Sequence, residues 1–156
     1  MISRPTTQQV LDDCARELRE SVMPMVADPA TRVKLEMMEQ LIASCALRSG
    51  HEVAWMAEEC DAMESYAIRV CEAFPDDDGA AVLALLARYR RERRGGLVVE
   101  DRTHDYDLAG RAFSAALALA MRRRHAALTA LARDLVTARN EREGVLRPNF
   151  YFPGRS

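Results

Sequence analysis

Apolar residues recur at three- and four-residue intervals along most of the chain, the spacing that gathers them on one face of an α-helix. Five helices and a tail follow from it. The first carries Val10, Leu11, Cys14, Leu18 and Val22 on one stripe, with Thr6 or Thr7 as its cap and Pro24 ending or kinking it. Asp28-Pro29 joins a capping residue to a proline at the first helical position and starts a second helix, running to Arg48. Its Val33, Leu35, Met37, Met38, Leu41, Ile42 and Cys45 cover roughly half the circumference at ~100° per residue. This helix is therefore expected to be central and buried on two sides. Ser49-Gly50 is the expected stop, with a continuous bent helix as the alternative.

The third helix, residues 51–74, has the cleanest pattern. Val53, Met56, Cys60, Met63, Ala67, Val70, Cys71 and Phe74 lie within an arc of about 100°. Pro75 and Asp76-Asp77-Asp78 form a turn, Asp78 caps a fourth helix over residues 80–93, and Gly95-Gly96 ends it. Leu97-Val98-Val99 reads as a short extended piece. One long helix then spans residues 105–143, with Tyr106, Phe113, Leu117, Ala120, Leu128, Leu131 and Leu135 on its apolar stripe. Gly144 ends it. The fold class is all-α: a single-domain bundle of four or five helices over 1–144, followed by an extended aromatic tail over 145–156.

Composition narrows the class. With 49% hydrophobic and 29% charged residues in a 156-residue chain, one core can form without disulfides or a structural metal. The net charge of −2 gives no chain-wide attraction for nucleic acid or an acidic membrane, although Lys34 is the only lysine among 22 cationic residues and the rest are arginines. The N-terminus lacks the apolar run of a signal peptide, and no apolar segment is long enough to span a bilayer. Cys14, Cys45, Cys60 and Cys71 form no CxxC pair and are read as reduced core residues of a cytoplasmic protein.

Candidate chemistry is sparse. Glu58, Glu59, Asp61 and Glu64 form the densest acidic cluster. All-helical nucleotide pyrophosphatases hold magnesium with two adjacent Glu and a third acid one turn on; here that third position is Ala62, and the pattern is broken. Glu58 and Asp61 remain the metal candidates, facing away from the apolar stripe, and a solvated acidic face is the favoured reading. His51, His104 and His125 make no helical ligand pair, and Thr103 or Asp105 is read as a helix cap. No nucleophile elbow, phosphate loop or activated cysteine is present, and no cofactor is called for.

Two charged residues fall inside apolar stripes. Arg124 lies in line with Tyr106, Phe113 and Leu117, and Glu64 sits at the inner edge of the third helix's arc. A charge in a core needs a partner. Glu64 and Arg124 are therefore a candidate buried ion pair, the alternatives for Arg124 being a subunit interface, an anionic ligand or a snorkelling side chain. Trp55, Glu59 and Tyr66 lie together beside the core arc and read as a contact surface, as aromatic and arginine side chains dominate binding hot spots, with packing against the fourth helix or the tail as an equal alternative. The tail holds Phe150, Tyr151 and Phe152, three of nine aromatic residues, and either latches onto its own bundle or docks onto another chain. Arg88, Arg90, Arg91, Arg93 and Arg94, and then Arg122, Arg123 and Arg124, form two basic runs that read as solvated helix ends rather than a phosphate or nucleic-acid surface.

Arg4-Pro5-Thr6, then Val22-Met23-Pro24 and Asp28-Pro29-Ala30-Thr31-Arg32-Val33, resemble a family of small bacterial all-helical proteins of unknown function. Its members accompany, or are fused to, aminoglycoside-phosphotransferase-like kinases, often beside acyl-CoA dehydrogenases. The match covers residues 4–48. It transfers no catalytic residue. The resemblance implies a non-catalytic accessory partner of a kinase acting on hydroxyacyl thioesters; the residues themselves read as an interaction protein, a homo-oligomer or bound to an enzyme partner, with Trp55, Tyr66, Arg124 and the tail aromatics at the contact. The alternative is a small-ligand-binding bundle or magnesium-dependent phosphate-ester hydrolase using Arg124, Glu64 and the acidic face.

Overall fold

Local signals start each helix. A computed structural model describes residues 4–146, which contain five α-helices and no strand. Helix α1, Thr7–Glu17, is capped by Thr6: its hydroxyl accepts from Gln9 N (3.2 Å) while Gln9 Oε1 accepts from Thr6 N (2.9 Å). A π-helical turn, Leu18–Val22, and a 3-10 turn, Met23–Met25, follow. Pro24 lies in the latter, where its missing N–H takes the chain out of the α ladder. Helix α2, Pro29–Ala73, begins at Asp28, whose carboxylate accepts from the backbone N (2.9 Å) and hydroxyl (2.6 Å) of Thr31. Those bonds hold the Asp28 carboxyl below its usual range.

The first correction lies within α2, which runs unbroken through Ser49-Gly50. Ser49 Oγ donates to Ala46 O (2.8 Å), a bond made inside a helix, and Gly50 stays out of the left-handed conformation that ends one. A β-carbon at Gly50 would stand 2.5 Å from Gln8 Oε1, so the glycine serves close approach to α1.

Helices α3 (Asp77–Glu92), α4 (Val99–Arg122) and α5 (Ala126–Leu146) complete the fold. Asp76, not Asp78, caps α3, accepting from Gly79 N (3.2 Å); Asp78 lies in the first turn. Leu97 and Val98 form a bend before α4, with Val98 itself extended and Val99 already the first helical residue.

The expected helix over 105–143 is two helices. Arg123 caps α4, Arg124 N donates to Met121 O (3.0 Å), and His125 N donates to Ala120 O (3.0 Å). That pair of bonds is the Schellman ending, with Arg124 in the left-handed position at φ +52°. His125 then starts α5, its Nδ1 accepting from Leu128 N (3.3 Å). Neither Gly nor Pro marks this break.

The chain forms two compact units: Met1–Glu52 with Arg142–Ser156, and Val53–Glu141. In the first, α1 runs antiparallel to the start of α2. Arg19 pairs with Glu39, and Arg32 Nη2 reaches Met23 O (3.5 Å). Ala15 and Ala46 are buried, and Ser44 Oγ donates to Leu146 O at the end of α5. The second unit packs the rest of α2 with α3, α4 and most of α5. Ala109, Ala112, Ala116 and Ala120 form a small-residue stripe on α4 that lets neighbouring helices approach closely, with Val70, Leu86, Leu119 and Leu128 filling the space between. The tail, residues 147–156, with Phe150, Tyr151 and Phe152, lies outside the described residues.

Candidate functional site

The first 20 residues of α2 turn only one of their two apolar sides inward. Leu35 and Ile42 are half-buried, whereas Val33, Met38, Leu41 and Cys45 are exposed. Met38 keeps 53% and Leu41 46% of their surface accessible. At ~100° per residue Met38, Leu41 and Cys45 fall within about 60° of one another, forming a continuous apolar strip. Lys34 precedes it and Arg48 and Glu52 follow it on the same face. Arg48 bonds Glu52 at 3.2 Å and stands 3.9 Å from Glu143. Lys34 makes no ion pair among the described residues. The helix expected to be buried on two sides is buried on one. Single exposed apolar side chains are ordinary; a run at helical spacing marks a contact surface.

In the second unit several polar side chains pair with one another, whereas Tyr66 Oη and Arg102 Nε are buried without a hydrogen-bond partner among the described residues. Tyr106 Oη donates to Glu59 Oε2 (2.6 Å), and Arg139 lies 4.0 Å from that carboxylate, over the Tyr106 ring at 5.6 Å. Burial, reinforced by Glu59, pushes the Tyr106 hydroxyl well above its usual range, so it stays a donor. Asp105, 2% exposed, accepts from Arg94 N (2.7 Å) and Gly95 N (3.0 Å), and Arg102 stands 4.0 Å away. It ties the loop after α3 to α4 instead of capping a helix. Its signal in the sequence was its place on the stripe of Leu108, Ala109, Ala112 and Ala116. Cys60, buried beside this carboxylate, has its thiol pushed up to about 11 by desolvation and then by Asp105. A thiol so held is a poor nucleophile.

The remaining candidates separate. Tyr66 is 1% exposed and packs on Phe113 at 5.1 Å, so it belongs to the core and not to a contact surface. Trp55 is half-buried. Glu64 and Arg124 do not meet. Glu64 binds Arg90 at 2.5 Å, with Arg93 3.9 Å away, because both arginines come from the last turn of α3 and its flank. Arg124 is exposed: the turn at φ +52° takes it off the stripe that an unbroken helix would have given it. It lines an open depression of about 460 Å³ with Met121, Thr129 and Arg133.

Glu58 and Asp61 are exposed, and no group of three His, Cys, Asp or Glu able to hold a metal assembles among the described residues. The arginine runs are paired: Arg88 and Arg91 with Glu92, Arg94 with Asp101, Arg122 with Asp78, and Arg123 with Asp76 and Asp78. Cys14 and Cys45 lie on the surface rather than in a core, since each helix turns its other side inward; all four cysteines are free thiols. No helix among the described residues is long and apolar enough to cross a membrane. No family model matches the chain, and neither does any curated protein or solved structure.

Proposed function

We propose that this chain is a non-catalytic interaction protein that works by presenting the outer face of α2. The observation that carries this reading is the exposed apolar strip of Met38, Leu41 and Cys45 on a well-capped helix. The second unit supports it, since Glu59, Glu64 and Asp105 are each engaged by a hydroxyl, guanidinium or backbone donor and its buried thiol is held protonated.

The resemblance over residues 4–48 supplies the partner. Those residues fall within the unit Met1–Glu52, which carries the strip. The partner is an aminoglycoside-phosphotransferase-like kinase acting on hydroxyacyl thioesters; it brings the ATP chemistry, and this chain stabilises the complex. Co-expression with the kinase encoded nearest to it, followed by light scattering, tests this. A joint complex lost on deleting residues 145–156 is expected. A chain that ignores the kinase at micromolar concentration overturns the kinase assignment.

A further inference from the structure

The exposed positions of α2 follow a heptad spacing. Lys34, Met38, Leu41, Cys45 and Arg48, all exposed, and the half-buried Glu52 are separated by four, three, four, three and four residues, the a/d rhythm of a coiled-coil seam. Along the helix the seam is about 27 Å long. Charge and register together select what covers it. The seam carries Lys34, a cation without an ion-pair partner among the described residues, at one end and Glu52, which bonds only its own helix's Arg48 among the described residues, at the other, with the apolar residues between them.

We infer that the occupant is a second copy of this chain, its α2 lying antiparallel across a two-fold axis near residue 43. An antiparallel pair sets each a position against a d position of its partner. In that register Lys34 faces Glu52 at both ends, Met38 lies along the aliphatic stem of Arg48, and two Leu41–Cys45 layers form the centre. A two-fold axis makes every contact twice. Running the two helices parallel would bring Lys34 against Lys34 and Glu52 against Glu52, two like-charge contacts the antiparallel pair avoids. The inference rests on the reading of the α2 face as an interaction surface and assigns that face to the second copy, so that the kinase docks elsewhere on the dimer.

Sedimentation equilibrium of the full chain should return twice the 17.5 kDa chain mass at tens of micromolar. Leu41→Glu should weaken the dimer at least about thirtyfold while circular dichroism keeps its helical signal. Lys34→Glu alone should weaken it, and the exchange Lys34→Glu with Glu52→Lys should recover it to within about threefold, a rescue only the antiparallel register provides. With Cys14 replaced by serine, Leu41→Cys should give an intermolecular disulfide with Cys45 under mild oxidation, and Cys45→Ser should abolish it.

A monomer that still binds the kinase overturns the dimer and leaves the interaction reading standing; a monomer that also ignores the kinase overturns both. A full-length monomer that dimerises once residues 147–156 are removed assigns the seam to the chain's own tail and likewise overturns the proposal. A dimer unaffected by Leu41→Glu places the contact elsewhere, with the same consequence.

Discussion

The two halves of α2 are one continuous helix, yet they meet different surroundings. Beyond residue 53 the helix turns Cys60, Tyr66, Ala67 and Val70 into a core shared with α3, α4 and α5. Before it, α1 and the last turn of α5 cover one side, and Met38, Leu41 and Cys45 remain outside. The neighbours each half meets decide which of its apolar side chains are buried. A helix with apolar residues over half its circumference needs neighbours on two sides; this chain provides them for only one half.

The largest expected contrast is in packing. Leu119→Ala, at a position with no exposed surface in the second unit, should cost about 2–5 kcal/mol in chemical denaturation, because the cavity left adds to the lost burial. Leu41→Ala on the outer face should change the unfolding of the isolated chain by no more than ~0.5 kcal/mol. Equal costs would mean the α2 face is already covered within one chain.

The thiols give a second contrast, one in each half of the same helix. In a chain held monomeric by Leu41→Glu, Cys45 should alkylate readily near pH 8, and Cys60 should resist until the protein unfolds. The Cys60 thiol titrates at about 11 when folded against 9.0 otherwise. The folded state therefore binds that proton more tightly, and its contribution is complete below pH 9. As pH rises from 9 to 11 the contribution is lost, on the order of 2–3 kcal/mol, and Tyr106, shifted in the same direction, extends the loss to higher pH. Denaturation midpoints measured from pH 8 to 11 check the sign; a midpoint rising across that window would contradict the burial of Cys60.

The smallest effects come from two residues whose backbones reverse expectation. Gly50 sits inside a helix, and Arg124 sits where glycine is the ordinary choice. Gly50→Ala should stabilise by up to ~1 kcal/mol, offset by whatever displacing the end of Gln8 costs. Arg124→Gly should stabilise by about 1 kcal/mol by relieving the left-handed strain. Thermal melts of the two variants sharpen the comparison between a glycine that permits contact and an arginine that tolerates a turn.

These two positions also show where the reading of the residues stopped. The signal Ser49-Gly50 was local and real, but one glycine costs a helix only about 1 kcal/mol, and the ladder on either side outweighs it. At Arg123-Arg124-His125 nothing local announces a turn, and a single long stripe through Tyr106 and Leu135 was the natural extrapolation. Carrying Arg124 inward on that stripe produced its expected pairing with Glu64. With the turn in place, Glu64 meets Arg90 of α3 instead, and Arg124 faces solvent. Tyr66 moved the other way, from an expected contact surface to the core, because α4 brings Phe113 onto that side of α2.

What the amino-acid order determined by itself is the short-range part. It set the helical class, the caps at Thr6 and Asp28, the departure from the α ladder near Pro24, and the inward residues Cys60, Ala67, Val70, Val82 and Leu86. Each depends on chemistry within one or two turns, where spacing and hydrogen-bonding capacity suffice. Only the tertiary structure decided that α2 passes through Gly50, that the chain turns at Arg124, and which side of α2 stays open. Those outcomes are differences between packing arrangements of similar local cost, and residues far apart in the chain supply the energy that separates them.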